Sequence, residues 1–149
     1  MFVGTKYSAH RDGAEVAAAI RQDIKADQMA GRLPHLLKVS VTLKRFAGGQ
    51  TLRISIRDAP IQVESSAYAR SVVLNLPESL LPERYTPAAV RLRKHLERIA
   101  LQYQRDASRP EEDYSNVNFF LRVGFAVGFM EVDHEIITDY WLALEGAAA

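Results

Sequence analysis

The stretch KVSVTLKRFAGGQTLRISIR, residues 38–57, decides the fold. Each of its halves alternates apolar and polar residues with a period of two, which is typical of a β-strand with one buried face. The apolar positions of the two halves are Val39, Val41, Leu43, Leu52, Ile54 and Ile56. Between the halves, Gly48 and Gly49 are expected to supply the positive φ values that a hairpin connection needs. The stretch therefore predicts a β-hairpin with one apolar and one polar face.

Two amphipathic helices are predicted, one on each side of this hairpin in the sequence. The first runs from Asp12 as N-cap to Gly31, a residue that suits a left-handed C-cap. The second starts with Thr86 as N-cap and Pro87 at the first helical position, and its apolar stripe extends to about Gln104. Apolar residues recur every three to five positions in both segments, so each helix has one face to bury.

The remaining segments have more ambiguous patterns. Within residues 61–85, Ser65 to Leu74 fit a helix capped by Glu64 or Ser65, but Ser71 to Leu74 also fit a strand, and Pro77 and Pro82 indicate a connector. The alternation that begins at Val117 and continues toward Phe129 predicts a third strand, and the C-terminal segment fits a fourth strand or a short helix.

Length and composition indicate one globular domain over residues 1–149. The chain is 48% hydrophobic and 25% charged, average values for such domains, and no repeat or linker divides it. We therefore predict an α+β fold, with a small, mostly antiparallel sheet and two main helices packed on one face. The absence of cysteine excludes disulfides, Cys-ligated zinc and thiol nucleophiles. Neither a secretory signal nor a long apolar run is present, so we expect a cytoplasmic protein without membrane contact.

The polar face of the hairpin carries the most distinctive chemistry. It has no carboxylate and combines four cations with four hydroxyls: Lys38, Lys44, Arg53, Arg57, Ser40, Thr42, Thr51 and Ser55. A fifth cation, Arg45, lies at the turn. Such a face could bind phosphates, or it could be an ordinary solvated face whose cations protect against aggregation. We expect no aromatic residue for base stacking on these strands, which counts against recognition of single strands.

A second basic strip is expected on the second helix. Arg91, Lys94 and Arg98 lie at helical spacing away from its apolar stripe, so they either extend the candidate binding surface or form a solvated helix face. Arg93 and Glu97 stand four residues apart, and an ion pair between them is expected.

The net charge of +1 is a cancellation. Residues 28–57 hold six bases and no acid, whereas residues 106–145 hold nine acids and two bases. We expect the two segments to meet within or between molecules, or to form a docking surface with both signs of charge.

Catalytic and metal-binding patterns are missing from the sequence. Asp133, His134 and Glu135 are adjacent, and on a strand they would point to opposite faces. Gly48 and Gly49 lack the helix and the lysine of a phosphate-binding loop. We therefore predict a protein without enzyme activity, cofactor or metal.

The last third of the chain offers two further candidate surfaces. Asp113, Tyr114, Asn116 and Asn118 could form the wall of a polar pocket, although such residues are also common where a strand begins. The same region contains more aromatic residues than a single strand face can bury: Phe119, Phe120, Phe125, Phe129, Tyr140 and Trp141. A homodimer is the simplest use of such a patch.

The order of helix, connector and hairpin over residues 7–60 resembles the large polyvalent protein associated domain 29. The residues that carry the resemblance are Phe46-Ala47-Gly48-Gly49 in the turn and Arg57-Asp58-Ala59-Pro60 at the strand exit. Residues 96–120 are also similar to the C-terminal extension of such proteins. This chain departs from the family pattern at Ile56 and Ala59.

The resemblance implies a phage, plasmid or other mobile element as context, and it implies no reaction. It further implies an accessory or counter-defence role. The leading hypothesis is therefore an interaction protein that binds a host protein or protein complex. The alternative is a nucleic-acid-binding domain that uses the basic face of the hairpin.

Overall fold

The computed structural model describes residues 1–109, 111 and 116–126, and in this part of the chain it has the predicted α+β character. Three α-helices, a 3-10 helix and five strands are present there. The helices are α1 (Gly13–Met29), α2 (Ser66–Val73), the 3-10 helix Glu78–Leu80 and α3 (Pro87–Leu101). The strands are β1 (Phe2–Val3), β2 (Lys38–Phe46), β3 (Gly49–Asp58), β4 (Arg105–Asp106) and β5 (Phe120–Phe125).

The main sheet has the order β2-β3-β5. β2 and β3 form the predicted antiparallel hairpin, in which Phe46 is opposite Gly49. β5 is parallel to β3, with Thr51 opposite Phe120. A parallel neighbour requires a long crossover, which the segment containing α2 and α3 supplies. β1 and β4 pair in a separate two-stranded sheet.

The predicted caps set the limits of the two main helices. The Asp12 side chain accepts a hydrogen bond from the Glu15 amide at 2.8 Å, and Gly31 has a φ of +78° just beyond α1. Thr86 Oγ1 accepts from the Ala89 amide at 3.1 Å at the start of α3. α3 ends at Leu101, slightly before the predicted limit, because the chain then turns to pair with β1.

The ambiguous segment contains a helix. Ser65 caps α2, since its hydroxyl accepts a hydrogen bond from the Tyr68 amide at 3.1 Å. The strand alternative is therefore wrong for Ser66–Val73. None of the residues of α2 is buried, which explains why their pattern does not show an inward face.

The hydrophobic core lies between the sheet and the two main helices. Side chains from α1, α3 and the sheet are fully buried there, among them Ile20, Leu92, Leu96, Leu52 and Ile54. Leu121, Val123 and Phe125 of β5 pack against the same core. Both helices therefore cover one face of the sheet, as predicted.

The third strand is shorter than expected within the described residues. The predicted alternation holds, because Phe119 is buried at 1% exposure and Phe120 is 39% exposed. The predicted continuation to Phe129 and the C-terminal strand or helix lie outside the described residues. No helix in the described part is long and apolar enough to cross a membrane.

Candidate functional site

The sheet face opposite the core forms the candidate site, and we call it the outer face. Its central side chains are Thr42, Lys44, Phe46, Thr51, Arg53, Phe120 and Arg122. Strand alternation places them together, because their neighbours in sequence point into the core. Six of them, all except Phe120, line an open groove of about 410 Å³.

Two arginines lie side by side at the centre of the outer face. Arg53 of β3 and Arg122 of β5 are direct register partners. Their backbones are about 4.8 Å apart, the usual strand spacing, and like charges at such positions repel. Lys44 lies one row further along the same surface. In the part of the chain that the structure describes, none of these three cations has an ion-pair partner.

Two phenylalanine rings stack beside these cations. The ring centroids of Phe46 and Phe120 are 6.0 Å apart, and the rings remain 46% and 39% exposed. A Cβ on Gly49 would lie 3.3 Å from the Phe46 ring and 3.4 Å from the Phe120 ring. A glycine at this position therefore leaves room for both rings.

The sequence predicts no aromatic stacking surface on the hairpin strands, yet the structure brings two partly exposed rings to the outer face. Phe46 ends β2 on the polar face, and Phe120 arrives on the parallel strand β5. The two predicted turn glycines also differ from each other. Gly48 has a φ of +93°, whereas Gly49 begins β3 without a positive φ.

The other hairpin cations lie away from the centre of the outer face. Lys38 is opposite Asp58 at the open end of the hairpin, where the register shifts, and Arg57 is exposed beside that shift. Arg45 is opposite Gln50 and alternates with Lys44, so it belongs to the other face.

The basic strip of α3 forms a separate surface. α3 presses Leu92 and Leu96 into the core, so the exposed Arg91, Lys94 and Arg98 point away from the sheet. The structure therefore does not join these cations to those of the hairpin. The ion pair expected on this helix is present, with Arg93 Nε 3.6 Å from Glu97 Oε1.

The two described residues of the candidate polar wall, Asn116 and Asn118, form hydrogen bonds with backbone groups of residues 103–107. Asn118 Oδ1 accepts from the Arg105 amide at 2.8 Å, and Asn118 Nδ2 donates to the Tyr103 carbonyl at 2.9 Å. The Asn116 carbonyl accepts from the Ala107 amide at 2.8 Å. Asp113 and Tyr114 lie outside the described residues.

Charged side chains also occupy a contact between α1 and α3, which we call the α1–α3 seam. Asp27 Oδ2 is 2.7 Å from His95 Nε2, and Asp27 Oδ1 accepts from Arg32 Nε at 3.0 Å. Burial acts to raise the pKa of Asp27, but the contacts with His95 and Arg32 outweigh it and hold the pKa below its ordinary value. The ionised carboxylate is thus stabilised in the folded protein.

A second acid completes the seam. Asp23 accepts a hydrogen bond from the Tyr103 hydroxyl at 2.6 Å and pairs with Lys6 at 3.0 Å. Burial of the Tyr103 ring, together with the bond to Asp23, raises the pKa of Tyr103 to about 12. The hydroxyl is therefore held protonated as a donor.

Most of the acidic C-terminal third lies outside the described residues. Of its nine acids, only Asp106 and Glu111 are among the described residues, so the expected meeting with the basic segment lies outside them. The described aromatic residues of this region lie in different parts of the fold. Phe119 belongs to the core, Phe120 to the outer face, and the Phe125 ring lies 5.4 Å from that of Tyr85.

No family model, curated protein or solved structure matches the chain. Within the described residues, no cluster of three or more acidic or histidine side chains is placed to hold a metal ion. Asp133, His134 and Glu135 lie outside that part. The side chains of the outer face are therefore the strongest guide to function.

Proposed function

We propose that this protein binds nucleic acid through its outer face. One observation carries the proposal: a solvent-facing sheet surface combines three cations with two exposed aromatic rings. Cations bind the phosphate backbone, and aromatic rings bind bases. This combination favours nucleic acid over a simple polyanion.

The cations suit phosphate chemistry. A guanidinium can bind a phosphate through two parallel hydrogen bonds, so Arg53 and Arg122 together form a wide anion site. Lys44 adds a third charge, and the hydroxyls of Thr42 and Thr51 lie beside these cations as hydrogen-bond donors. Three phosphate contacts on a single strand predict a slope of about −2 for log affinity against log salt.

The pairing of the two arginines supports the same conclusion. Their repulsion costs stability, and neither guanidinium has an ion-pair partner among the described residues. A bound phosphate would relieve it. With so few contacts, the expected dissociation constant is about 10⁻⁶ to 10⁻⁴ M at moderate salt.

Fluorescence anisotropy with a short labelled oligonucleotide tests this proposal. We expect binding that weakens with salt and falls more than about ten-fold in Arg53→Glu/Arg122→Glu. The control Lys94→Glu/Arg98→Glu makes the same change in net charge on α3, and we expect it to bind like the wild type. Absence of binding at low salt, or equal loss in both variants, would contradict the proposal.

A second candidate function is contact with another protein through α2. Five large aliphatic residues are exposed in and after this helix: Val72, Val73, Leu74, Leu76 and Leu80. Val73, at 83%, is the most exposed of them. Several exposed aliphatic residues in one short segment are typical of a protein interface.

The charges around this α2 patch favour a second copy of the chain as its occupant. Arg70 and Glu78 flank the patch, and neither has an ion-pair partner in the described part. A two-fold contact would place the cation of one copy against the anion of the other. Light scattering across protein concentration tests this, with Val73→Asp expected to abolish a dimer and Met29→Asp, at another exposed apolar residue, expected to retain it. A wild type that stays monomeric at all concentrations overturns it.

Binding to a host protein, the counter-defence role and the absence of enzyme activity stay predictions. The family resemblance supports the first two. Affinity purification from host lysate, compared between wild type and Val73→Asp, tests the first. Failure to enrich any protein that depends on the α2 patch counts against it.

A further inference from the structure

We infer that the outer face binds single strands in preference to duplexes, with bases stacked on Phe46 and Phe120. This inference rests on the proposed function and names its substrate class. The preference follows from the parts of the bases that single strands and duplexes expose. In a duplex the base faces are stacked on one another, whereas an unpaired base presents a free face to an aromatic ring.

The two rings are available for such stacking. They lie on the solvent side of the sheet, stacked on each other at 28° from parallel, and the two residues are 46% and 39% exposed. Base stacking on aromatic rings tolerates any sequence, because every base has a π face. The outer face therefore favours binding with little sequence preference.

The cations lie where the backbone of a stacked nucleotide would run. Thr51 is the register partner of Phe120, and Arg53 is the register partner of Arg122. These two rows are two residues apart along the strand, about 7 Å. A nucleotide whose base covers the rings can thus place its phosphate beside the arginines.

Gly49 supports a ligand-binding role for the rings. A Cβ at this position would lie within 3.4 Å of both rings, so the rings would have to shift to make room for it. The glycine therefore allows both rings to take their observed positions. Its φ is not positive, so the turn itself does not require glycine here.

The test compares four ligands by anisotropy: single-stranded DNA, single-stranded RNA, a duplex of the same sequence, and polyphosphate, which has no bases. Phe46→Leu/Phe120→Leu keeps the apolar character and removes the π faces. We expect this variant to lose about ten-fold in affinity for single strands and to bind polyphosphate unchanged. The DNA and RNA arms show whether the 2′-hydroxyl contributes.

Each outcome of this test is decisive. Tighter binding of single strands than of the duplex, lost with the rings, supports the inference. Equal affinity for single strands and duplex, unchanged in the leucine variant, overturns it and leaves the proposed function standing. A wild type that binds none of the four ligands overturns both. Thermal unfolding of the leucine variant establishes that a loss of affinity is not a loss of folding.

Discussion

The α1–α3 seam and the outer face treat charge in opposite ways. In the seam, Asp27 bonds both His95 and Arg32, so its carboxylate is neutralised by partners in the same chain. On the outer face, Arg53 and Arg122 stand next to each other, and neither has an ion-pair partner among the described residues. The contacts of the seam stabilise the fold, whereas the outer face leaves its cations unpaired, as the proposed ligand binding requires.

This difference separates two roles that charged residues have in the protein. A paired charge contributes to folding, and its removal lowers the free energy of unfolding. An unpaired cluster of like charges opposes folding, and an external anion that binds to it relieves the repulsion. Substitutions in the two regions should therefore move stability and binding in different ways.

The largest expected effect is on binding. Arg122→Glu places a carboxylate beside Arg53 and competes with phosphate for it. We expect a loss of nucleic-acid affinity of about twenty-fold, together with a gain of a few tenths of a kcal/mol in stability. Anisotropy and urea unfolding measure the two. A loss of both affinity and stability would mean that the arginine is structural.

Asp27→Asn tests the seam. We expect the free energy of unfolding to fall by about 1–2 kcal/mol, because two charge-assisted bonds weaken, and we expect affinity to stay unchanged. Glu83→Gln, at an exposed acid, serves as the control and should change neither. Weaker nucleic-acid binding by Asp27→Asn would remove the distinction between the two regions.

The same substitution has a defined pH dependence. The pKa of Asp27 is lowered in the folded protein, so its contribution is full above the unfolded value of about 3.9 and is lost as pH falls through the folded pKa. The stability difference between wild type and Asp27→Asn should therefore shrink in acid. Unfolding curves from neutral to acid pH measure it, and a difference that grows in acid contradicts the assigned contacts.

Tyr103→Phe removes the hydrogen bond from the Tyr103 hydroxyl to Asp23 in the seam. We expect a deficit of about 1 kcal/mol at neutral pH. Because the pKa of Tyr103 is raised to about 12, its contribution is full below about pH 10 and is lost as pH rises through 12. The deficit should disappear in strong base. Tyr7→Phe is the control, since the Tyr7 hydroxyl has no hydrogen bond in the described part.

The smallest expected effect is at the turn. In Gly49→Ala the new methyl group meets the Phe46 and Phe120 rings at 3.3–3.4 Å. We expect a loss of about three-fold in affinity for single strands and no change for polyphosphate. An equal loss for both ligands would mean that the turn, rather than the rings, is affected.

The sequence predicted those elements whose signals are local. The hairpin follows from alternation and a glycine turn, and α1 and α3 follow from the caps Asp12 and Thr86 with their apolar stripes. The sequence did not predict α2 clearly as a helix, because the apolar residues of α2 face solvent and show no buried stripe. Its sequence therefore resembles a buried strand as much as a helix.

The sequence allowed only the hairpin part of the candidate site to be predicted. Lys44 and Arg53 lie in the hairpin, and Phe46 could have been included from the same alternation. Phe120 and Arg122 could not be joined to them, because the parallel pairing of β5 depends on a long crossover and on tertiary packing. The layer arrangement likewise decides that the α3 cations lie on the other side of the molecule.

The most direct test of the central claim is a map of backbone amide shifts in the NMR spectrum during titration with a single-stranded oligonucleotide. The account predicts the largest shifts at outer-face residues, led by Thr51, Arg53 and Arg122, with α3 residues Lys94 and Arg98 unmoved. Shifts centred on α3 or on the α1–α3 seam, with the outer face unmoved, would contradict it.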